Sequence, residues 1–428
     1  MTAAVGHADI AATREAVRRR GASAVTEEVL EALAAAPAGV LIGPPLVALA
    51  RADAARVDAS AAQLPLGGVP FVVKDNIDVA GVATTAACPG FSYVAARDAT
   101  VIAALRAAGA IPVGKANLDQ FATGLVGTRS PYGTPPNVRD PLLAPGGSSS
   151  GSAAAVALGI VPFAIGTDTA GSGRVPAALN GIVGLKPTVG RYDIAGIVPA
   201  VRRFDCPSVF AHSVTDATAV AAAMAPLPGP RPAPRWSTEP VIGLPDPWPA
   251  SVAIEPDIAA SFRSAVGQLT TRGPTRAVDV EPLLALGRLL YGSALVAERA
   301  VTAGPAIRRG VDGLDPIVAA VIGGGTRYSA EDAYRAEYEL ADLRAAARRA
   351  LAGIDVLALP TTPQAPTLAD VAADPIGTNT RLGTFTTFAN LLDVPVVVVP
   401  LPGPVPAGLQ LIGAPWCDDE LGVFAGMR

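Results

Sequence analysis

Reactive side chains are most concentrated in residues 144–191. There two Gly/Ser knots, Gly146–Gly151 and Gly166–Gly173, bracket the apolar run Ala153–Ile165. Glycine tolerates positive φ and lets backbone approach a ligand closely. Hydroxyls beside such turns suit a site in which backbone N–H groups surround a reacting atom. The alternative is two flexible loops around a buried helix. A serine nucleophile needs a base, and the only histidines are His7 and His212. His7 lies in an N-terminal stretch of the kind that frays. His212 sits in Val209-Phe-Ala-His-Ser213, an apolar context that suits a packed side chain. Lysine is the other base able to activate serine, provided burial lowers its pKa. Lys74 closes the strand-like run in Val69-Pro-Phe-Val-Val-Lys-Asp-Asn76. A buried lysine is costly unless it is used or paired. The alternative for Lys74 is an edge-strand side chain reaching solvent.

The elements that must hold these groups follow from periodicity. Residues 64–80 read as strand, turn, strand around Lys74. Ala153–Leu158 reads as a helix whose N-terminus, with its free N–H groups, points into the first knot. Ile160–Ile165 reads as a buried strand. Asp168 and Arg174 flank the second knot, where an ion pair would fix the loop. Upstream, residues 8–58 read as two or three amphipathic helices, Asp98–Ala108 as a helix and Ile111–Val113 as a short strand. Leu118–Gly127 reads as a turn and short helix. Downstream come a strand starting at Val241 and helices over Pro256–Leu269, Glu281–Ala300 and Ala330–Leu351. Ile354–Leu359 and Val394–Leu401 are apolar enough for central strands. The Pro-rich residues 226–240 read as a surface crossing. Strands alternate with helices and nothing repeats, so the fold class is α/β, a large mixed β-sheet sandwiched between α-helices. The expected division is an N-terminal helical segment over 1–60 and a single catalytic domain over 61–428, with no second C-terminal domain expected.

Composition bounds the function. The chain has 428 residues, half of them hydrophobic, and a net charge of −4. That supplies a large core. With no basic tract, nucleic acid is not an expected partner. Cys88, Cys206 and Cys417 are widely spaced, with no metal-binding cluster, so neither a disulfide scaffold nor a metal is expected. No secretory leader or membrane-length apolar run is present, which implies a cytoplasmic protein and no membrane partner.

Two rival motifs are present. Gly109–Lys115 forms the GxxxxGK skeleton of a phosphate-binding loop, but Ala116 follows where Ser or Thr is needed and the segment reads as strand. Lys115 is therefore assigned a structural role. Gly147-Ser-Ser-Ser-Gly151 also fits G-x-S-x-G with Ser149 central. An α/β-hydrolase elbow would need a histidine far downstream, and only His212 is available.

Val72-Val-Lys-Asp-Asn76, Asn117-Leu-Asp-Gln-Phe-Ala-Thr-Gly124, Gly146-Gly-Ser-Ser-Ser-Gly151 and Gly166-Thr-Asp-Thr-Ala-Gly-Ser-Gly-Arg174 together resemble the amidase signature family. These enzymes are Ser–cis-Ser–Lys amidohydrolases. The resemblance runs over residues 64–415. Within the family, Gly171-Ser-Gly-Arg174 and the Asp119–Arg129 segment are most similar to the amidase domain of allophanate hydrolase. The resemblance implies an amidase signature fold. It assigns Lys74 as base, Ser148 as the serine after a cis peptide, and Ser172, 24 positions after Ser148, as nucleophile. The N–H groups of Thr169, Ala170, Gly171 and Ser172 would form the oxyanion hole, and 118–127, with Gly124, would line the acyl site. In allophanate hydrolases a Tyr and an Arg in a similar LLY…AER segment bind the substrate carboxylate; here these are Tyr291 and Arg299. Eight positions apart, they would lie on nearly one face of a continuous helix. The implied function is hydrolysis of a small carboxylated urea or amide, most closely allophanate, releasing ammonia through an acyl-serine, without a cofactor. Carboxybiuret, malonamate, a general amide, or glutamine in an amidotransferase complex remain as alternatives. A homodimer is the implied assembly.

Overall fold

A computed structural model describes residues 9–60, 63–227, 236 and 239–427. His7 and most of the Pro-rich crossing lie outside them. Among the described residues twelve strands occur: β1 Pro70–Lys74, β2 Ala83–Thr84, β3 Tyr93–Val94, β4 Ile111–Ala116, β5 Phe163–Asp168, β6 Val183–Lys186, β7 Cys206–Ala211, β8 Ile242–Pro245, β9 Thr275–Val278, β10 Val356–Pro360, β11 Val396–Leu401 and β12 Ala407–Gly413. Ten of them make one sheet in the order β4-β1-β5-β7-β6-β11-β12-β10-β8-β9. The β4-β1-β5 and β10-β8-β9 edges are parallel, and the centre is antiparallel.

Alternation along the strands builds two cores. Val72 and Ala164 join one, with Ala153–Val156, Leu283–Leu290 and Leu340. Phe71, Val73, Phe163 and Ile165 join the other, with Val101, Leu105, Val220 and Phe262. β1 and β5 thus bury both faces, one against each helical layer, which explains their near-continuous apolar sequences. The first core includes Val29, Leu30 and Leu33 of the N-terminal helices, so residues 9–58 lie against the sheet layer as part of the same body.

Four expectations are corrected. Residues 64–80 hold one strand, β1, followed by a turn at Asp75–Asn76 rather than a second strand. The 111–113 strand extends through Gly114 and Lys115 to Ala116, which removes any phosphate loop. Lys115 is buried, bonding Ile77 O at 2.7 Å and pairing with Asp75 at 3.2 Å. The helix expected over 281–300 ends at Gly292; extended Ser293 then starts a 3-10 turn, Ala294–Glu298, by accepting from Leu295 N. Finally, His212 is exposed rather than packed.

Candidate active site

The site forms at the C-terminal ends of parallel strands, where α/β sheets place their ligands. In the register of β1 on β5, Val73 lies opposite Ile165. Lys74 at the end of β1 therefore lies beside Gly166 and Thr167. Its side chain is fully buried, and Nζ is 2.8 Å from both Ser148 Oγ and Thr167 Oγ1. Burial pulls its pKa from 10.5 down to about 7, and the carboxylates of Asp119, Asp168 and Asp205 partly oppose that fall. The peptide bond Gly147–Ser148 is cis. Ser148 just precedes helix Ser150–Ala157, whose N-terminus faces the knot.

Ser149 has a different task. Its hydroxyl donates to Thr167 O at 3.2 Å, tying the start of that helix to β5. His212 is remote: β7 runs antiparallel to β5, with Cys206 opposite Asp168 and Ala211 opposite Phe163. Five residues of strand, about 16 Å, therefore separate the His212 end from the second knot. An α/β-hydrolase triad cannot be assembled from these groups.

The second knot is braced by one buried ion pair. Asp168 and Arg174 meet through two contacts of 2.9 Å, both side chains fully buried. Despite its burial, the Arg174 charge and its hydrogen bonds hold the Asp168 carboxyl down at about 2. Asp168 also accepts the amides of Gly171 and Gly173, each at 2.9 Å. Arg174 reaches on to Thr386 O and Asn390 Oδ1, both at 2.7 Å. The amides of Thr169, Ala170 and Ser172 have no acceptor among the described residues. Gly171 departs from the expected oxyanion set, because the buried Asp168 carboxylate takes its N–H. Its need for glycine is steric: φ is +134°, and a Cβ would come within 2.4 Å of Thr386 Oγ1. Ser172 is buried, 2% exposed.

The first knot is shaped by Asp119, which accepts the amides of Gly127 at 3.0 Å and Arg129 at 2.9 Å. A Cβ on Gly147 would lie 2.1 Å from Asp119 Oδ2, and one on Gly124 2.4 Å from it. Gly124, Thr123, Arg129 and Tyr291 line a cavity of about 320 Å³, within the range of small-molecule sites. Arg299 is buried behind two of these lining residues, Thr123 and Tyr291. It donates to Thr123 Oγ1 at 2.9 Å and Tyr291 OH at 2.8 Å, with its guanidinium carbon 5.2 Å from the Tyr291 ring centre. The two residues meet as expected, but through the break at Ser293 rather than along one helix.

Sequence reasoning overlooked Thr167, the other acceptor for Lys74, although it lies inside a quoted motif. It also overlooked Asp205, 33 residues beyond Ser172, which binds Thr169 Oγ1 at 2.5 Å and the amide of Ala200 at 2.8 Å. Burial pushes Asp205 up to about 6. No local pattern marks either residue, since their partners are set by strand register. Among the described residues no three His, Cys, Asp or Glu side chains gather as a metal-ion set. No helix there is long and apolar enough to cross a membrane.

The site thus joins a ten-stranded mixed sheet to a buried lysine at a Gly/Ser turn. The chain belongs to the amidase family, whose model, Amidase, matches residues 24–421. It is similar to the urea amidolyase of Lachancea kluyveri, 46% identical over 378 residues, which are 84% of this chain and 20% of that protein. It is also similar to a glutamyl-tRNA(Gln) amidotransferase chain of Symbiobacterium thermophilum, 36% identical over 403 residues, 83% of this chain and 81% of that one. Among solved structures, an S177A allophanate hydrolase of Kluyveromyces lactis superposes with a TM-score of 0.92 at 37% identity, covering 98% of this chain and 72% of that one. The chain spans about a fifth of the length of the urea amidolyases it matches.

Proposed function

We propose that the protein hydrolyses allophanate, a urea bearing a carboxylate, and releases ammonia through an acyl-Ser172 intermediate. The observation that carries the substrate class is Arg299. It is a buried guanidinium with no carboxylate partner among the described residues, held beside the small cavity by Thr123 and Tyr291. Asp205 attracts Arg299 from a distance without pairing with it, and Arg299 Nε has no partner, so a contacting anion is the natural guest. The planar fork of arginine matches a carboxylate with two parallel hydrogen bonds.

In this proposal Lys74, near pKa 7, is neutral in the active form. Its Nζ donates to Thr167, and its lone pair accepts from the Ser148 hydroxyl. Ser148 relays the Ser172 proton to Lys74 as Ser172 Oγ attacks the terminal carbonyl. The free amides of Thr169, Ala170 and Ser172 receive the developing oxyanion. The proton returns through Ser148 to the terminal nitrogen, the C–N bond breaks and ammonia leaves. Water, giving its proton along the same path, then cleaves the acyl ester and restores Ser172.

A second candidate, the glutaminase of an amidotransferase, is favoured by the 36% identical amidotransferase relative. Ammonia release from allophanate, carboxybiuret, malonamate, biuret and glutamine separates the two. Allophanate turning over fastest supports the proposal, and glutamine turning over fastest overturns it. We further propose that the enzyme acts as a cytoplasmic homodimer without a cofactor, and light scattering of the purified chain tests the assembly.

A further inference from the structure

Arg299, which contacts the cavity-lining Thr123 and Tyr291, is not the only buried cation without a salt bridge in this region. Arg129 lines the cavity directly and is 3% exposed. Its NH1 donates to Thr123 O at 3.0 Å and its NH2 to Pro375 O at 2.7 Å, while Nε has no partner. Neither Arg129 nor Arg299 has a carboxylate partner among the described residues, yet both bond the same residue, Thr123, one through its carbonyl and one through its hydroxyl. Two buried acids, Asp119 and Asp205, are already engaged. Asp119 accepts the amides of Gly127 and Arg129, and Asp205 accepts Thr169 and Ala200. The cavity wall itself carries Arg129 and Arg327 and no acid. Elsewhere in this protein a buried arginine is matched: Arg174 has Asp168. Two buried guanidinium groups on one threonine repel one another, and the more distant Asp205, which attracts Arg299, offsets only part of that charge until an anion is seated.

We propose that Arg129 is a second specificity-determining cation, sharing the substrate carboxylate with Arg299 across Thr123. This rests on the carboxylated-substrate assignment above and deepens it. Two cations fit a planar anion approached from two sides, so the seat selects carboxylated ureas and half-amides over their neutral carboxamide counterparts. Carbonyl bonds from Arg129 to Thr123 and Pro375 set the direction of its fork, and the remaining N–H groups are left for the guest.

The test uses inhibition by malonate and by malonamide, its neutral isostere, alongside turnover of allophanate. Arg129→Gln is expected to raise the malonate inhibition constant and the allophanate KM tenfold or more, with a smaller fall in kcat and little change for malonamide. Arg129→Lys, which keeps the charge and loses the fork, is expected to recover part of the malonate binding. If Arg129→Gln does not fold, Arg129→Lys alone must still weaken malonate selectively. Malonate and malonamide shifting together, or neither shifting, overturns the proposal. Arg299→Ala run in parallel distinguishes the failures. Selective malonate loss there but not in the Arg129 variants overturns this inference alone. No selectivity in either position overturns the carboxylated-substrate assignment as well.

Discussion

Lys74 Nζ lies as close to Thr167 Oγ1 as to Ser148 Oγ, 2.8 Å in each case. Thr167 is thus a fixed acceptor that orients the lysine toward the serine. Asn76 Nδ2, anchored on Val198 O at 3.1 Å, also reaches the Thr167 hydroxyl, at 3.4 Å. Thr167→Val keeps the shape and removes the acceptor. It is expected to lower kcat about tenfold, the worth of one hydrogen bond, with KM little changed. Wild-type kcat in that variant would remove Thr167 from the site.

The pH profile follows from the same lysine. With Lys74 held near 7, its neutral fraction rises as pH rises through that value. The kcat/KM for amide hydrolysis should therefore climb with a slope of one on log axes below pH 7 and level off above it. A profile flat from pH 5.5 to 8 would contradict a lysine base.

Stability carries a mark of the same sign in a higher pH window. The folded value of about 7 lies below the ordinary 10.5, so between those values the unfolded chain binds a proton that the folded chain does not. Stability from this group therefore rises with pH across that window, and its penalty is full below pH 7. Lys74→Met removes the penalty and also the two hydrogen bonds. At pH 7 the net gain should be on the order of 2 kcal/mol, shrinking toward pH 10, while turnover falls by orders of magnitude. Paired melting curves at pH 7 and pH 10 measure it, and a lower Tm at pH 7 would contradict it.

Gly124→Ala places a methyl 2.4 Å from Asp119 Oδ2. The carboxylate must move, and with it the amides of Gly127 and Arg129 that it holds. Overpacking of this kind costs about 1–3 kcal/mol. The expected result is a lower Tm together with a higher KM for allophanate. An unchanged KM would show that the segment is not part of the substrate cavity.

Arg299→Ala should raise KM for allophanate by about a hundredfold, in line with losing a hydrogen-bonded charge contact of about 3 kcal/mol. KM for biuret, which replaces the carboxylate by a carboxamide, should change little. Steady-state kinetics on both substrates decide it, since equal losses would make Arg299 structural.

The linear chain already pointed to Lys74 and to the sandwich that carries it, while Ser148 and Ser172 came from the resemblance of its motifs to the amidase signature family. With only two histidines present, a buried Lys74 was the available base. Apolar runs such as Val394–Leu401 read as strands covered on both faces, and a strand forms at Val396–Leu401. Local patterns also set the helices with clear boundaries, Pro256–Leu269 among them. Which side chains meet was settled only by folding. Register, which depends on pairings across ninety residues, put Thr167 beside Lys74. Asp168 took the Gly171 amide from the expected oxyanion set because its buried charge needs donors, a demand visible only once the loop is closed. Tyr291 and Arg299 met through a helix break at Ser293 that helical periodicity had concealed. A serine that caps a new turn reads, in a linear string, like any other residue on a helix face.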